Sequence, residues 1–268
     1  MIFADSHFHL TEEFSAKLEN APALAGTINV SSIEEFRKAQ EIKKSFLLQK
    51  MQKTAVAFGA FSFFDRLDDS KAVLSLGKNS LDLLDSVLRN NSQAVDAVGE
   101  AVLDATLPER RETLDAQLEI FRCELELAEK YGKSLVVHCV RAMPLIFELA
   151  PVLKKLPAVV FHGWGGSVNE AESLLKRGIN CFFSIGTALI NGKKSAAACA
   201  AALPLERILF ETDFPYCSIK GLRLSQLETI RNIYSFAAAK RSVSMEDLAV
   251  QVYCNFSRAF FSSAINSL

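Results

Sequence analysis

No apolar run in this sequence reaches the ~18 residues that a membrane-spanning helix needs. The first residues lack the basic start and apolar stretch of a secretory leader, because Asp5 interrupts the opening Met1-Ile-Phe-Ala. The expectation is a chain with neither signal peptide nor membrane anchor. Charge of one sign is not in excess either: 30 Lys and Arg face 31 Asp and Glu, leaving a net charge of −1. Nothing therefore steers the whole surface onto nucleic acid or an anionic bilayer, and any affinity for phosphate has to be local. The six cysteines (123, 139, 181, 199, 217 and 254) form no C-x-x-C pair and no compact disulfide framework. Reduced, mostly buried thiols in a cytoplasmic protein fit best. Cys139 follows His138 directly and faces the other side of a strand, so it does not count as a ligand.

What the chain does hold is a 50% hydrophobic, 23% charged composition over 268 residues. That is the make-up of a folded protein with a large core, at a length close to the ~250 of a (β/α)8 barrel. Apolar segments alternate with helix-like ones throughout. Strands are expected at residues 1–9, Thr27–Ser31, Lys53–Phe61, Ala94–Glu100, Ser134–His138, Ala158–His162, Asn180–Gly186 and Arg207–Asp213. Between them, Ser31 and Ser32 with Glu34 and Glu35 open a helix to about Gln49, Ser70–Arg89 forms another, and Ser167 with Glu170 caps a third. Leu114, Leu118, Phe121, Leu125 and Ala128 recur at helical spacing before Gly132, which suits the position just past a helix end. Residues 144–153, the Ala-rich 195–203, 222–240 and the stretch from Ser244 complete the helices. Residues 10–25 read as loop with some helix.

Eight strands that are apolar rather than alternating, each followed by helix-like sequence, indicate an α/β fold with a parallel sheet covered on its outside: a (β/α)8 TIM barrel, with no composition shift to divide residues 1–268 into domains. A doubly wound open sheet is the competing architecture. In a barrel, functional groups belong at the C-terminal ends of the strands. Asp5, His7 and His9 would end the first strand, sharing one face because they alternate; Glu100 would end the fourth, His138 the fifth, His162 the sixth and Asp213 the eighth. The chain has four histidines, and all are in that set. Any one carboxylate there could be a helix cap or salt-bridge partner, but so many ionisable groups converging without a cation would be expensive to bury. Imidazole with carboxylate suits Zn, Mn, Fe or Ni better than all-oxygen Mg or Ca sites. Four histidines exceed the three protein ligands of a usual catalytic zinc, which points to two divalent ions sharing a bridging carboxylate.

Asp5-Ser-His-Phe-His-Leu10, Gly99-Glu-Ala-Val-Leu-Asp104, His138-Cys-Val-Arg-Ala142, His162-Gly-Trp-Gly-Gly166, Glu211-Thr-Asp-Phe-Pro-Tyr216 and Asn255-Phe-Ser-Arg-Ala-Phe260 resemble, in order, the signatures of the TatD-type metal-dependent hydrolases. The resemblance implies an amidohydrolase-like barrel, a two-metal centre, and deoxyribonuclease or other phosphoesterase activity on DNA or a small phosphoester; it implies no protein partner in addition. Carried over by position, His7 and His9 hold one metal, Glu100 bridges, and His138 and His162 hold the second. Asp213 ligates the first metal and orients or deprotonates the nucleophilic water.

Two departures bear on the substrate. The family's Gly-x-His-Pro after strand three is Gly59-Ala-Phe61-Ser62 here, and its Arg two residues after His138 is Val140, with Arg141 one place later. Arg141 makes the family's contact only if the chain has already left the strand. Trp164 could offer a stacking face to a base or pack over the barrel mouth. Glu211 could orient a ligand or join a salt bridge, and Asp104 could line the pocket or cap a helix. Lys193 and Lys194 fall near the region where barrels often bind phosphate, against the plainer account of a solvated helix face. Beside phosphoester hydrolysis stand two alternatives: an amidohydrolase acting on an amide, lactone or cyclic imide, with Phe61 making its pocket more apolar, and a metal-stabilised barrel without catalysis.

Overall fold

The computed structural model describes residues 1–12, 14, 22–44 and 51–261. Its strands are β1 (Phe3–His9), β2 (Leu24–Val30), β3 (Met51–Phe58), β4 (Ala97–Asp104), β5 (Ser134–Val140), β6 (Val159–Phe161), β7 (Cys181–Ile185) and β8 (Ile208–Phe210). They form one sheet in sequence order, each paired in parallel with the next. Past β8 the chain runs on beside β1. Asp213 N donates to His7 O at 3.0 Å, His9 N donates to Phe214 O at 2.7 Å, and a parallel bridge joins Phe8 to Phe214. These bonds bring the last strand to the first and give the expected (β/α)8 barrel rather than an open sheet. Apolar strands follow from that closure, since one face meets the barrel interior and the other the helices.

Helices α1 (Ile33–Lys44), α2 (Ser70–Asn91), α3 (Pro108–Glu112), α4 (Leu114–Tyr131), α5 (Met143–Glu148), α6 (Ala150–Leu153), α7 (Val168–Lys176), α8 (Lys194–Ala202), α9 (Thr229–Arg241) and α10 (Met245–Phe261) fill the connections. α4 forms because its apolar residues fall on one stripe. Ile120, Phe121, Leu125 and Ala128 are buried on that stripe, each large side chain contributing roughly 1.5–3 kcal/mol relative to exposure. Gly132 ends α4 in a left-handed conformation, φ 62°, as its position predicts. The capping box at Ser167 and Glu170 is present. At α1, Ser32 Oγ accepts from Glu35 N at 3.2 Å while Glu35 Oε2 accepts from Ser32 N at 3.2 Å. The expected end of that helix near Gln49, and half of the 10–25 stretch, lie outside the described residues.

Several boundaries differ from the sequence reading. β4 does not end on Glu100 but continues to Asp104, because Ala101-Val-Leu is as apolar as the residues before it. β5 likewise runs past His138 to Val140. Residues 144–153 split into α5 and α6, since Pro151 has no N–H for the turn before it. The helix expected from Leu222 begins at Thr229. Ser225 is taken up instead by the turn after β8, its N donating to Pro215 O at 2.9 Å and its Oγ to Thr212 O at 3.0 Å.

Local irregularities aim the polar residues. The β1–β2 register shifts between Asp5 and Phe8, and the β4–β5 register between Val98 and Ala101, the stretch that carries Glu100. Such shifts re-aim side chains next to functional sites. At the end of β3, Gly59 lies so close to β4 that a Cβ would collide with the Gly99–Glu100 backbone. No other residue fits there without displacing the strand that bears the carboxylate.

Candidate metal centre

Six side chains from five segments meet at the C-terminal mouth of the barrel. On one side, His7 Nε2 and His9 Nε2 are 3.2 Å apart. Glu100 Oε1 lies 3.3 Å from the first and 3.2 Å from the second, and Asp213 Oδ1 lies 3.8 and 3.6 Å from them. On the other side, His138 Nδ1 and His162 Nε2 are 2.9 Å apart. Glu100 Oε2 is 3.0 Å from His162 Nε2 and 3.9 Å from His138 Nδ1. The Glu100 carboxylate thus turns one oxygen to each pair of imidazoles.

Without an ion, protons hold this packing together: the carboxylates keep His9 charged and Glu100 raises His162 well above the ordinary imidazole value. A divalent cation would take the place of those protons, each ring nitrogen and carboxylate oxygen giving it a lone pair. Ligand atoms held ~2.0–2.2 Å from one ion at a tetrahedral angle lie roughly 3.3–3.6 Å apart, which is the spacing around His7, His9, Glu100 and Asp213. Among the described residues, two sets of three ligand atoms are near enough to share an ion: His7, His9 and Asp213, and His7, Glu100 and His162. His138 stands outside both sets, although its Nδ1 faces the second. The donor chemistry fits divalent cations.

Charge in the site is set by burial working against close partners. Burial opposes a charge on His9, but the Asp213 and Glu100 carboxylates outweigh it and raise its pKa to about 9. Burial and the neighbouring His162 instead lower His7. Glu100 is held well below the ordinary carboxylate range: burial pushes it up, and His7 with His162 pull it down further. Asp213 is lowered in the same way, with His9 and His7 overcoming its burial.

Carboxylates also stand behind the second pair of histidines. Asp104 Oδ2 is 3.5 Å from His138 Nε2, the nitrogen turned away from the cluster. Asp104 is itself fixed by Thr106 N at 2.7 Å and by the guanidinium of Arg110. Glu211 Oε1 is 3.7 Å from His162 Nδ1 and accepts from Gly163 N at 2.6 Å. Such partners fix which ring nitrogen faces a ligand. The sequence leaves the roles of Asp104 and Glu211 open, and their place beside the rear nitrogens favours the orienting role.

The remaining sequence candidates fall as follows. Asp5 does not join the cluster: its carboxylate accepts from Thr212 N at 3.0 Å and Thr212 Oγ1 at 2.7 Å, tying β1 to the segment after β8. The register shift after Asp5 ends the alternation that would have aligned it with His7 and His9. Burial raises the Asp5 carboxyl to about 7 against those bonds. Arg141 follows the last residue of β5 and has φ 55°, so the chain has turned into its loop; the exposed side chain donates to Thr106 O at 3.0 Å. Trp164 is 5% exposed and packs against Phe161 and Phe183, so its face is taken. Lys193 and Lys194 are exposed. Sequence reasoning missed Arg110, Phe64 and Tyr216. Phe64 stands edge-on to His138 at 5.3 Å with the Arg110 guanidinium over it, and Tyr216 stands edge-on to His9 at 5.2 Å. Tyr216 lies within the Glu211–Tyr216 motif, a signal available in the sequence; Phe64 and Arg110 carry none.

Comparison with known proteins places this geometry. Residues 4–261 match the sequence model of the family described as TatD related DNase. A 3'-5' ssDNA/RNA exonuclease TatD from Edwardsiella piscicida is 35% identical over 143 residues, 52% of each chain. An uncharacterized metal-dependent hydrolase from Haemophilus influenzae is 27% identical over 166 residues, 60% of this chain and 62% of its own. These alignments span only about half to three-fifths of the curated relatives. Among solved structures, the TatD homologue YjjV from Escherichia coli superposes with a TM-score of 0.78 at 23% identity, covering 96% of this chain and 97% of its own. A TatD family hydrolase from Entamoeba histolytica gives 0.76 at 20%, covering 97% and 98%. Both establish the barrel.

Proposed function

The chain belongs to the TatD-related DNase family, and from that premise we propose that it is a two-metal hydrolase of phosphoester bonds, acting on DNA or a nucleotide-like phosphodiester. The observation that carries the reading is Glu100, with one oxygen toward His7 and His9 and the other toward His138 and His162. His7, His9 and Asp213 would hold one divalent ion, His138 and His162 the other, and Glu100 both. When bound, the ions supply Lewis acidity and neutralise the charge that develops on a transferring phosphoryl group.

The protein's own groups supply the rest. Asp213 is kept ionised and is 9% exposed at the mouth, so it can orient the attacking water and take its proton on a carboxylate oxygen. Asp104 and Glu211 stand behind His138 Nε2 and His162 Nδ1, where a proton on each rear nitrogen would turn the lone pairs of His138 Nδ1 and His162 Nε2 toward the cluster. Glu100 stays unprotonated in its buried position, as a shared ligand must. The six free cysteines suit a reducing, cytoplasmic setting, and no described helix is long and apolar enough to cross a membrane.

The competing reading keeps the metals and changes the bond to an amide, lactone or cyclic imide; Phe61 against His9, 5.9 Å between ring centroids, favours it by making the mouth more apolar. A panel of phosphodiesters, amides and lactones, run on protein loaded with Zn, Mn, Mg, Fe or Ni, separates the two. Cleavage of single-stranded DNA or an activated aryl phosphodiester is expected, together with loss of metal in His7→Ala. Turnover confined to amides or lactones would overturn the proposal.

A further inference from the structure

Three aromatic side chains stand against the histidines of the metal-binding cluster. Phe61 and Tyr216 stand edge-to-face with His9, at 5.9 and 5.2 Å between centroids and interplanar angles of 77° and 76°. Phe64 stands the same way to His138, at 5.3 Å and 87°. Phe61 and Phe64 come from the segment after β3, whereas Tyr216 comes from the segment after β8. An edge-to-face contact uses an edge or one face of a ring; Phe61 packs its inner side against the core, and the Arg110 guanidinium already lies over Phe64. Tyr216 is 60% exposed, and the two phenylalanines are half-buried.

The rings on the β3 side are held in place. Ala60 N, next to Phe61, donates to the buried Glu124 Oε1 at 2.8 Å, and Phe64 N donates to Phe61 O at 2.9 Å. The guanidinium beside Phe64, that of Arg110, is paired with Asp104. Grip on a substrate beyond the reacting phosphate can draw on the π faces of Phe61 and Tyr216.

We propose that Phe61 and Tyr216 form a nucleobase-binding wall beside His9, and that stacking on it decides which phosphodiesters this enzyme accepts. The proposal rests on the phosphodiesterase reading and deepens it. Such a wall reads the base as well as the phosphate, so the site requires an intact base next to the scissile bond. Stacking on aromatic side chains tolerates every base and is worth roughly 10- to 100-fold in affinity per base. The departure at Phe61 is then a change in how substrate is gripped, with the cluster beneath it unaltered.

The test compares a short single-stranded oligonucleotide with versions in which each base in turn is replaced by an abasic tetrahydrofuran residue. Two readouts are used: kcat/KM of the metal-loaded protein, and anisotropy binding of labelled phosphorothioate oligonucleotides without added metal. One position is expected at which the abasic change costs about 10- to 100-fold in both. Phe61→Leu and Tyr216→Leu keep apolar bulk but remove the π face, and should bring the base-to-abasic ratio close to one; Tyr216→Phe should retain it. Equal handling of intact and abasic strands by the unaltered protein overturns the wall and leaves the phosphodiesterase reading standing. Cleavage of neither overturns both. The unaltered protein alone decides between these outcomes even if a variant fails to fold, and a preference surviving in both leucine variants also counts against stacking.

Discussion

The two halves of the cluster hold their imidazoles by different means. On the His7 side both rings come from β1, two residues apart, and their nitrogens converge because the strand backbone sets them on one face. His138 and His162 come from neighbouring strands, and each has a carboxylate near its rear nitrogen, Asp104 or Glu211. Alternation along one strand can place two ligands with no outside help, whereas rings from separate strands have to be turned by partners. Glu100 joins the halves, and its own aim depends on the register shift in β4 and the close approach of Gly59.

The most severe way to break the comparison is to remove what both halves share. Glu100→Ala should drop metal content well below two ions per chain and lower activity by roughly 10³-fold or more, beyond the ~10²–10³ of losing one stabilising donor. Elemental analysis and kcat/KM on an aryl phosphodiester check this; full metal loading in the variant would show that Glu100 is no bridge. Touching the halves separately sharpens the contrast. Glu211→Gln and Asp104→Asn should weaken metal affinity or activity about 10- to 100-fold, as loss of a ligand's supporting carboxylate does. Competition with a chromophoric chelator should place that loss in one of two sites. Equal weakening of both sites would erase the distinction.

A smaller effect concerns the ground behind Glu100. Glu124 is fully buried, and burial raises its carboxyl from 4.5 to about 8, with the charge of Glu100 adding to the rise. The native state thus keeps a proton that the unfolded chain releases above pH 4.5. Stability from this group is complete below 4.5 and is lost as pH rises toward 8. Glu124→Gln keeps an acceptor for Ala60 N and cannot ionise, so its urea-unfolding free energy should vary less over that window, by on the order of a few kcal/mol. Parallel pH profiles for the two proteins would show that Glu124 carries no such dependence.

Legibility in the sequence follows the same divide. The barrel is readable because most strands are apolar runs and longer helices such as α2, α4 and α7 bring their own stripe or cap. His7 and His9 are readable as a pair since they share one strand, and the other ligand candidates because each lies in or just after a strand. Asp5 is misplaced by the sequence pattern, because alternation predicts its direction only while the register holds, and it shifts right after that residue. Glu100 reads as a strand end although the strand runs four residues further. Partners fixed by tertiary packing carry no local signal: Arg110 reaches Asp104 from α3, and Phe64 meets His138 from a separate segment. Trp164, the more conspicuous aromatic in the sequence, is the one buried against Phe161 and Phe183, while the less conspicuous Tyr216 stands in solvent.

Diffraction from crystals grown with zinc, collected at the zinc absorption edge, tests the central claim most directly. Two anomalous peaks are predicted, one among His7, His9 and Asp213 and one among His138 and His162, with a Glu100 oxygen against each. A single peak, or a pair lying to one side of Glu100, would contradict it.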